Sequence, residues 1–143
     1  MAAAGVSVRD ARPNEVDAVL DLWDLAYEAT TRRSLQQDIP ALLSHGPMAR
    51  LLLAEIEDRI VGSLIVTFGG WRGNMYRLAV RPDHQRRGIA RRLVADAHVW
   101  LGGLGCRRIT ALVEGNHDYA TSFWESVGYV HDEDMWRYSK DFD

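Results

Sequence analysis

The sequence predicts a mixed α/β (α+β) domain, a mostly antiparallel central sheet of about seven strands flanked by about four helices. Three observations predict it. Apolar periodicity alternates between a period of two and a helical spacing in the order β-α-α-β-β-β-α-β-α-β-β. Residues 49–80 hold three strand-like segments in succession, joined by turns too short for a crossover, so these strands are antiparallel. The third of them leads into a helix and then another strand, a β-α-β unit whose strands are parallel. A chain of 143 residues suffices for one domain, expected to span residues 1–143, with a core that removes about two-thirds of the unfolded surface from water.

Taken in order, Val6-Ser7-Val8-Arg9 alternates as a short strand and Arg12-Pro13-Asn14 ends it. Asn14 is the predicted N-cap of a first helix, with Asp17 three residues on and Val16, Val19, Leu20, Trp23 and Ala26 on one face, running to about residue 30. Thr30 to Ser34 reads as a polar loop. A short second helix is expected from about Asp38 to His45, stopped by Gly46-Pro47. Ala49–Ala54 and Ile60–Phe68 are apolar strands around a hairpin turn at Glu57-Asp58-Arg59. Gly69-Gly70 and Arg72-Gly73-Asn74 form a second turn region, and Met75–Val80 is the next strand. From Gly88 the apolar residues Ile89, Leu93, Ala97, Trp100 and Leu104 take helical spacing to about Leu101, before a glycine-rich stop. Arg107–Glu114 follows as a strand. Asn116 is the predicted N-cap of a last helix that ends at Gly128, and Tyr129-Val130 and Met135–Tyr138 are expected to close the sheet as a hairpin.

Composition narrows the classes. No run of about 18 apolar residues exists, and the start Met1-Ala2-Ala3-Ala4-Gly5 lacks the charged and apolar regions of a signal peptide. No membrane partner is expected, and the protein is placed in the cytoplasm. The single Cys106 fits a reducing compartment, excludes an internal disulfide and a multi-cysteine zinc site, and reads as a buried structural thiol. No metal site is expected, and homodimer formation is left open.

The stretch from Tyr76 to Leu93 carries the chemistry. Pro82 cannot continue a sheet ladder, so the chain passes from strand through a short loop into a helix. The first N–H groups of that helix lack partners within it and the helix dipole adds positive potential, which favours an anion. Gly88 and Ala90 have little or no side chain to block a close approach. Six arginines, at 77, 81, 86, 87, 91 and 92, stand against one carboxylate, Asp83, and guanidinium matches phosphate oxygens. A pyrophosphate is the expected ligand. A solvated arginine face and a nucleic-acid backbone are the competing readings. The P-loop and the three-glycine dinucleotide fingerprint are both absent.

Gln85-Arg86-Arg87-Gly88-Ile89-Ala90, a Gln/Arg-x-x-Gly-x-Gly/Ala turn after Leu78-Ala79-Val80-Arg81-Pro82, resembles the acetyl-CoA-binding motif of the Gcn5-related N-acetyltransferases. A second motif in the right order, Asn116…Ala120…Phe123-Trp124-Glu125-Ser126-Val127-Gly128-Tyr129, resembles that family's Asn…Ala…Tyr-x-x-x-Gly-Phe. The resemblance covers nearly the whole chain. It implies the acyl-CoA N-acyltransferase fold, acetyl-CoA as cosubstrate and an amine as acceptor, with no nucleic-acid partner. It implies further that the backbone of Leu78, Ala79 and Val80 bonds the pantetheine arm like an added strand. Gln85, Arg86, Arg87, Gly88, Ile89, Ala90 and Arg91 would hold the pyrophosphate, and Asn116 and Phe123 the other side.

In such a site a neutral amine attacks the thioester directly, and the Val80 N–H is placed to meet the developing oxyanion. Two positions depart from the family. Trp124 stands where many members carry a tyrosine acid, and its indole donates a hydrogen bond but does not ionise. Asn74 stands where some carry a glutamate base. A thiol of pKa about 8.5 leaves readily near neutrality, so the acid is dispensable. Tyr119 or water are the replacement acids, and Glu28, Glu114, His117 or water the replacement bases, with Glu28 preferred. The alternative to an enzyme is a catalytically weak or inactive acyl-CoA-binding module. For the acceptor, charge is the guide. The chain carries 17 basic and 20 acidic side chains, and residues 77–92 hold six and one of them, so the remainder is 11 against 19. An acidic remainder favours a small cationic or peptide amine. Asp132-Glu133-Asp134 would border its pocket, and Trp23, Tyr27, Trp71 or Trp136 would supply aromatic walls.

Overall fold

A computed structural model describes residues 5–27, 32–113 and 118–142, with backbone alone for 32–34, 118 and 119. The chain divides into two compact units, 1–112 and 113–143.

The first unit is built on a five-stranded sheet in the order β1-β2-β3-β4-β5. The strands are β1 (Ser7–Asp10), β2 (Ala49–Ile56), β3 (Arg59–Phe68), β4 (Gly73–Val80) and β5 (Ile109–Ala111). Pairing is antiparallel from β1 through β4 and parallel between β4 and β5, as the β-α-β reading requires. The hairpin between β2 and β3 closes on Glu57 and Asp58, with φ of 50° and 63°, and Ile56 pairs with Arg59. Two left-handed residues in a two-residue loop make a type I′ turn, whose twist matches that of the strands it joins.

Three helices cover this sheet: α1 (Val16–Ala26), α2 (Arg32–Leu43) and α3 (Ile89–Gly103). Both faces of β2 are covered, since Leu51, Leu52, Leu53 and Ala54 are all buried. Leu51 and Leu53 pack with Val19, Leu20, Leu22 and Trp23 of α1, and with Ile39 of α2. Gly62 faces α3, where an added Cβ would lie 3.0 Å from Ile89 Cγ2 and 3.1 Å from Leu93 Cδ1. Its neighbour Ser63 faces α1, as strand alternation demands.

Several boundaries differ from expectation. Asn14 is not the cap of α1. It lies inside a 3-10 turn, Pro13–Glu15, whose Glu15 carboxylate accepts the Arg12 N–H at 2.8 Å. Glu15 also takes two bonds from Arg9 of β1, at 2.8 and 2.7 Å, and Arg9 reaches Glu55 of β2 at 2.8 Å. This ion pair ties the entrance of α1 to the sheet edge. It holds the Glu15 carboxyl down at about 2, the Arg9 hydrogen bond being the main cause. α1 ends at Ala26 instead of near residue 30. α2 starts at Arg32, so the polar stretch Arg32-Arg33-Ser34 is helical, not loop, and it spans Pro40 and stops at Leu43. The apolar positions Leu35, Ile39, Leu42 and Leu43 explain this, since they bring one helical face onto the core. β5 is three residues long where an eight-residue strand was expected. Cys106 is half-buried, not buried, and its thiol bonds the Arg108 carbonyl at 3.3 Å.

The second unit contains α4 (Asp118–Ser126), stopped by Gly128 at φ 94°. Trp124 packs edge-to-face on Phe123, with ring centres 5.4 Å apart, and on Tyr129 at 4.9 Å. The closing hairpin does not form. Among the described residues Tyr129 to Phe142 contain no strand, so five strands stand where about seven were expected. Val130, Trp136, Tyr138 and Phe142 are all at least 80% exposed, so this segment lacks the buried face that pins strand pairing.

Candidate active site

Two neighbouring features of the first unit form the site. The first is a break in the β4 ladder. Ser63 pairs with Ala79, but Ile65 pairs with Tyr76, so Arg77 and Leu78 together oppose Leu64. This is a β-bulge, and Arg77 takes its left-handed position at φ 53°. The indole Nε1 of Trp23 donates to Ser63 Oγ at 2.9 Å, and that hydroxyl donates to the Arg77 carbonyl, also at 2.9 Å. The Tyr27 hydroxyl donates to the Leu78 carbonyl at 2.8 Å. Trp23 and Ser63 are fully buried. An unpaired donor or acceptor there would cost about 1–3 kcal/mol, so the relay fixes the bulge.

Beyond Met75, among the described residues, β4 presents an unpaired edge. Its pairing with β5 covers only Gly73–Met75 against Ile109–Ala111, and a last bond runs from Leu112 N–H to the Met75 carbonyl at 3.0 Å. Among the described residues no strand pairs with Tyr76–Val80 on that side. The Arg81 N–H turns inward to the Val61 carbonyl at 2.8 Å. By alternation the Val80 N–H points outward, to the bare edge. The Leu78 carbonyl already holds Tyr27, so its share in binding an added strand is reduced to what its second lone pair and its N–H can do.

The second feature is the mouth of α3. After Arg81 a 3-10 turn, Pro82–His84, leads to extended Gln85. Arg86 and Gly88 are then left-handed, at φ 65° and 80°. Gly88 is the N-cap, and no side chain caps the helix. Its first helical bond runs from Arg92 N–H to the Gly88 carbonyl at 3.0 Å, so the N–H groups of Ile89 and Ala90 lie ahead of the ladder. Left-handed residues alternating with others turn successive N–H groups to one side, a shape that holds anions. Gly62 serves here too, because its missing Cβ lets the first turn of α3 lie close on β3.

The six arginines do not act together as expected. Arg81 bonds Asp83 at 3.3 Å and Arg92 bonds Asp96 at 3.3 Å. Arg77 turns to α1, its guanidinium carbon 5.1 Å from the Trp23 ring centre and 5.0 Å from that of Tyr27. Arg86, Arg87 and Arg91 remain exposed around the mouth. Asp83, bonded to His84 at 3.0 Å, is held below the usual carboxylate range, first by that bond and then by Arg81.

Leu78, Ala79, Val80 and Gln85 through Arg91 thus lie together in one unit. Phe123 and Trp124 belong to the other. Glu28, Glu114, Asn116 and His117 lie outside the described residues, as does the side chain of Tyr119. Trp23 is 1% exposed and therefore cannot wall an acceptor, and the Tyr27 ring already carries Arg77. Asp132-Glu133-Asp134 sits in a turn without flanking strands, so its place beside an acceptor pocket loses its basis. Ser63, Gly62 and the Trp23 indole were missed by sequence reasoning. One signal was available: Gly62-Ser63 interrupts an otherwise apolar strand, which marks a bulge or a close backbone approach.

Known proteins resemble this chain in sequence and in fold. The model of the acetyltransferase (GNAT) family matches residues 16–129. An acetyltransferase of Sodalis glossinidius is 32% identical over 124 residues, 87% of each chain. An aminoglycoside 6'-N-acetyltransferase from Acinetobacter haemolyticus superposes with a TM-score of 0.79 at 21% identity, over 96% of this chain and 99% of that one. An aminoglycoside N-acetyltransferase solved in complex with CoA reaches 0.80 at 15% identity, over 94% of each chain. At these identities the structural matches speak to fold. Among the described residues no cluster of side chains could hold a metal ion, and no helix is long and apolar enough to cross a membrane.

Proposed function

The chain belongs to the acetyltransferase (GNAT) family and is an acetyl-CoA-dependent N-acetyltransferase; from that premise we propose that it acetylates a small or peptide amine, cationic before reaction, by direct attack on the thioester. One observation carries the reading: a helix mouth with a left-handed Gly88 N-cap lies at the end of a bulged strand whose edge from Tyr76 to Val80 pairs with no strand among the described residues. Acetyl-CoA fits these residues, since a Gly88 N-cap without a side-chain cap suits a pyrophosphate and the edge from Tyr76 to Val80 suits an extended amide-bearing arm. Bound there, acetyl-CoA supplies an activated acyl group on a thiol leaving group.

The chain's own residues do the rest. The backbone around Gly88, Ile89 and Ala90 binds phosphate, with Gln85, Arg86, Arg87 and Arg91 at its rim. Leu78, Ala79 and Val80 align the arm. The outward Val80 N–H donates to the thioester oxygen as charge grows on it. Alignment within about 3–3.5 Å contributes several kcal/mol to the rate, which lessens the demand on an acid and a base. Glu28 is the proposed base, needed because a free alkyl ammonium has a pKa of about 10.4. Trp124 takes the place of the family's tyrosine acid, and Asn116 and Phe123 are assigned to the cofactor on the sequence motif. The acidic balance outside residues 77–92 supports an acceptor that arrives as a cation. The lone Cys106 supports a cytoplasmic setting.

The test is thiol release from acetyl-CoA over an amine panel, beside calorimetric titration with acetyl-CoA. Amine-dependent release with saturable binding is expected, and Glu28→Gln should lower it most below pH 8. Binding without turnover on every amine overturns the reading.

A further inference from the structure

The Arg77 side chain is unusual in three respects. Its backbone is left-handed at φ 53°, a conformation that costs an L-residue energy and for which glycine is the ordinary choice in a bulge. It is half-buried, and among the described residues it makes no ion pair. Its guanidinium lies against two aromatic rings, 5.1 Å from the Trp23 centre and 5.0 Å from that of Tyr27. Strain retained at a residue whose side chain is held in one orientation points to a use for that side chain.

Aromatic contacts satisfy the charge of a guanidinium only in part. Its N–H donors lie in a fixed planar fork and match an oxyanion two bonds at a time. Partly desolvated and without a carboxylate partner among the described residues, such a group is one that a ligand completes. The position decides which ligand. Arg77 precedes Leu78, whose carbonyl is tied to Tyr27 at 2.8 Å, and the outward Val80 N–H lies three residues on. The amine must come within about 3–3.5 Å of the thioester carbon, so the part of the acceptor a few bonds from the amine falls near the guanidinium.

We propose that Arg77 is a specificity-determining residue that binds an oxyanion on the acceptor, a carboxylate or a phosphate a few bonds from the reacting amine. The inference rests on the acetyltransferase reading and narrows it, since the ammonium answers to the acidic surface and the oxyanion to Arg77. It favours zwitterionic amines over polycations.

The experiment pairs each acid with a partner lacking the anion: amino acids beside their carboxamides, and O-phosphoethanolamine beside ethanolamine. With saturating acetyl-CoA, kcat/KM for the anionic member of the preferred pair should exceed that of its partner by about ten- to a hundredfold, the worth of a hydrogen bond to a charged group. Arg77→Gly keeps the left-handed backbone and should bring the acid down to the level of its partner, while Arg77→Lys should recover part of the gap. Which pair shows the gap tells carboxylate from phosphate. A second arm needs no turnover and no variant. In the wild-type protein without acetyl-CoA, the Arg77 Nε–Hε resonance should shift on titration with the anionic compound and stay still with its partner. Equal rates within every pair, an equal loss on both members in Arg77→Gly, or a silent resonance each overturn the proposal. Failure of the acetyltransferase reading looks different: no thiol release from any amine, whatever the resonance does.

Discussion

The bulge of β4 and the mouth of α3 lie a few residues apart and are shaped by different means. The mouth is shaped locally. Arg86 and Gly88 are left-handed, the helix begins at Ile89, and each of these follows from the residue itself or its neighbour. The bulge is shaped from a distance. Trp23 and Tyr27 are about fifty residues upstream of the carbonyls they help to fix: Ser63 accepts from Trp23 and donates to the Arg77 carbonyl, and Tyr27 donates to the Leu78 carbonyl directly. The mouth is therefore open to a ligand, and the bulge is braced by the side chains bonded to its Arg77 and Leu78 carbonyls. A site that binds a charged group at one end and aligns a reacting bond at the other gains from both.

From this contrast, a change at the mouth acts chiefly on binding, while a change in the relay acts chiefly on stability. The largest effect is expected for Gly88→Glu. It forces a side chain into φ 80° and puts negative charge where the dipole favours an anion. Acetyl-CoA affinity should fall about a hundredfold or more in calorimetry. Unchanged affinity would show that the phosphates bind elsewhere.

Ser63→Ala is next. It leaves the Trp23 indole and the Arg77 carbonyl facing each other unpaired in the core, a loss of about 2–4 kcal/mol in denaturant unfolding. Amide exchange at Arg77–Val80 should speed up in the free protein. A fully stable Ser63→Ala variant would mean that the bulge holds itself without the relay.

The same contrast explains what was legible in the sequence. The helix start at Gly88, the hairpin at Glu57-Asp58, the antiparallel succession of β2, β3 and β4 and the stop at Gly128 are local signals, and each was readable. Arg77 was counted with the arginines of the phosphate stretch because it is close to them in sequence. Its neighbours in space are Trp23 and Tyr27, which no local pattern reveals. Trp23 was offered as an acceptor wall on residue type alone, whereas its place in the helical stripe Val16, Val19, Leu20, Trp23 predicted burial. The missing hairpin after Tyr129 has the same origin: alternation suggests a strand, but only a partner and a buried face make one.

At the mouth a smaller change sharpens the comparison. Arg86 is left-handed and exposed. Arg86→Gly removes a charge yet relieves the backbone, so acetyl-CoA affinity should drop less than about tenfold, with a shallower dependence on salt and a thermal midpoint equal to or above that of the wild type. A collapse in stability would mean that the Arg86 side chain anchors the loop.

The smallest effect lies outside both regions and separates them from the frame that carries them. The relay at the bulge consists of an indole, a hydroxyl, a phenol and amide carbonyls, none of which titrates in acid. The ion pair at the entrance of α1 does titrate. Arg9 holds the Glu15 carboxyl at about 2 in the folded chain, against about 4.3 for a free glutamate. A depressed folded pKa means that the ionised carboxylate favours the folded state, so its stabilisation is fully present above the unfolded value and is lost as pH falls from about 5 toward 2. The wild-type thermal midpoint should therefore decline through that window. Glu15→Gln should start a few degrees lower at pH 7, because it gives up the charge and leaves Arg9 with Glu55 alone. The two curves should then converge as the pH falls through about 2, where the Glu15 carboxyl of the folded chain takes up its proton. Curves that stay parallel down to pH 2 would show that Glu15 acts through packing and its bond to the Arg12 N–H, not through its charge.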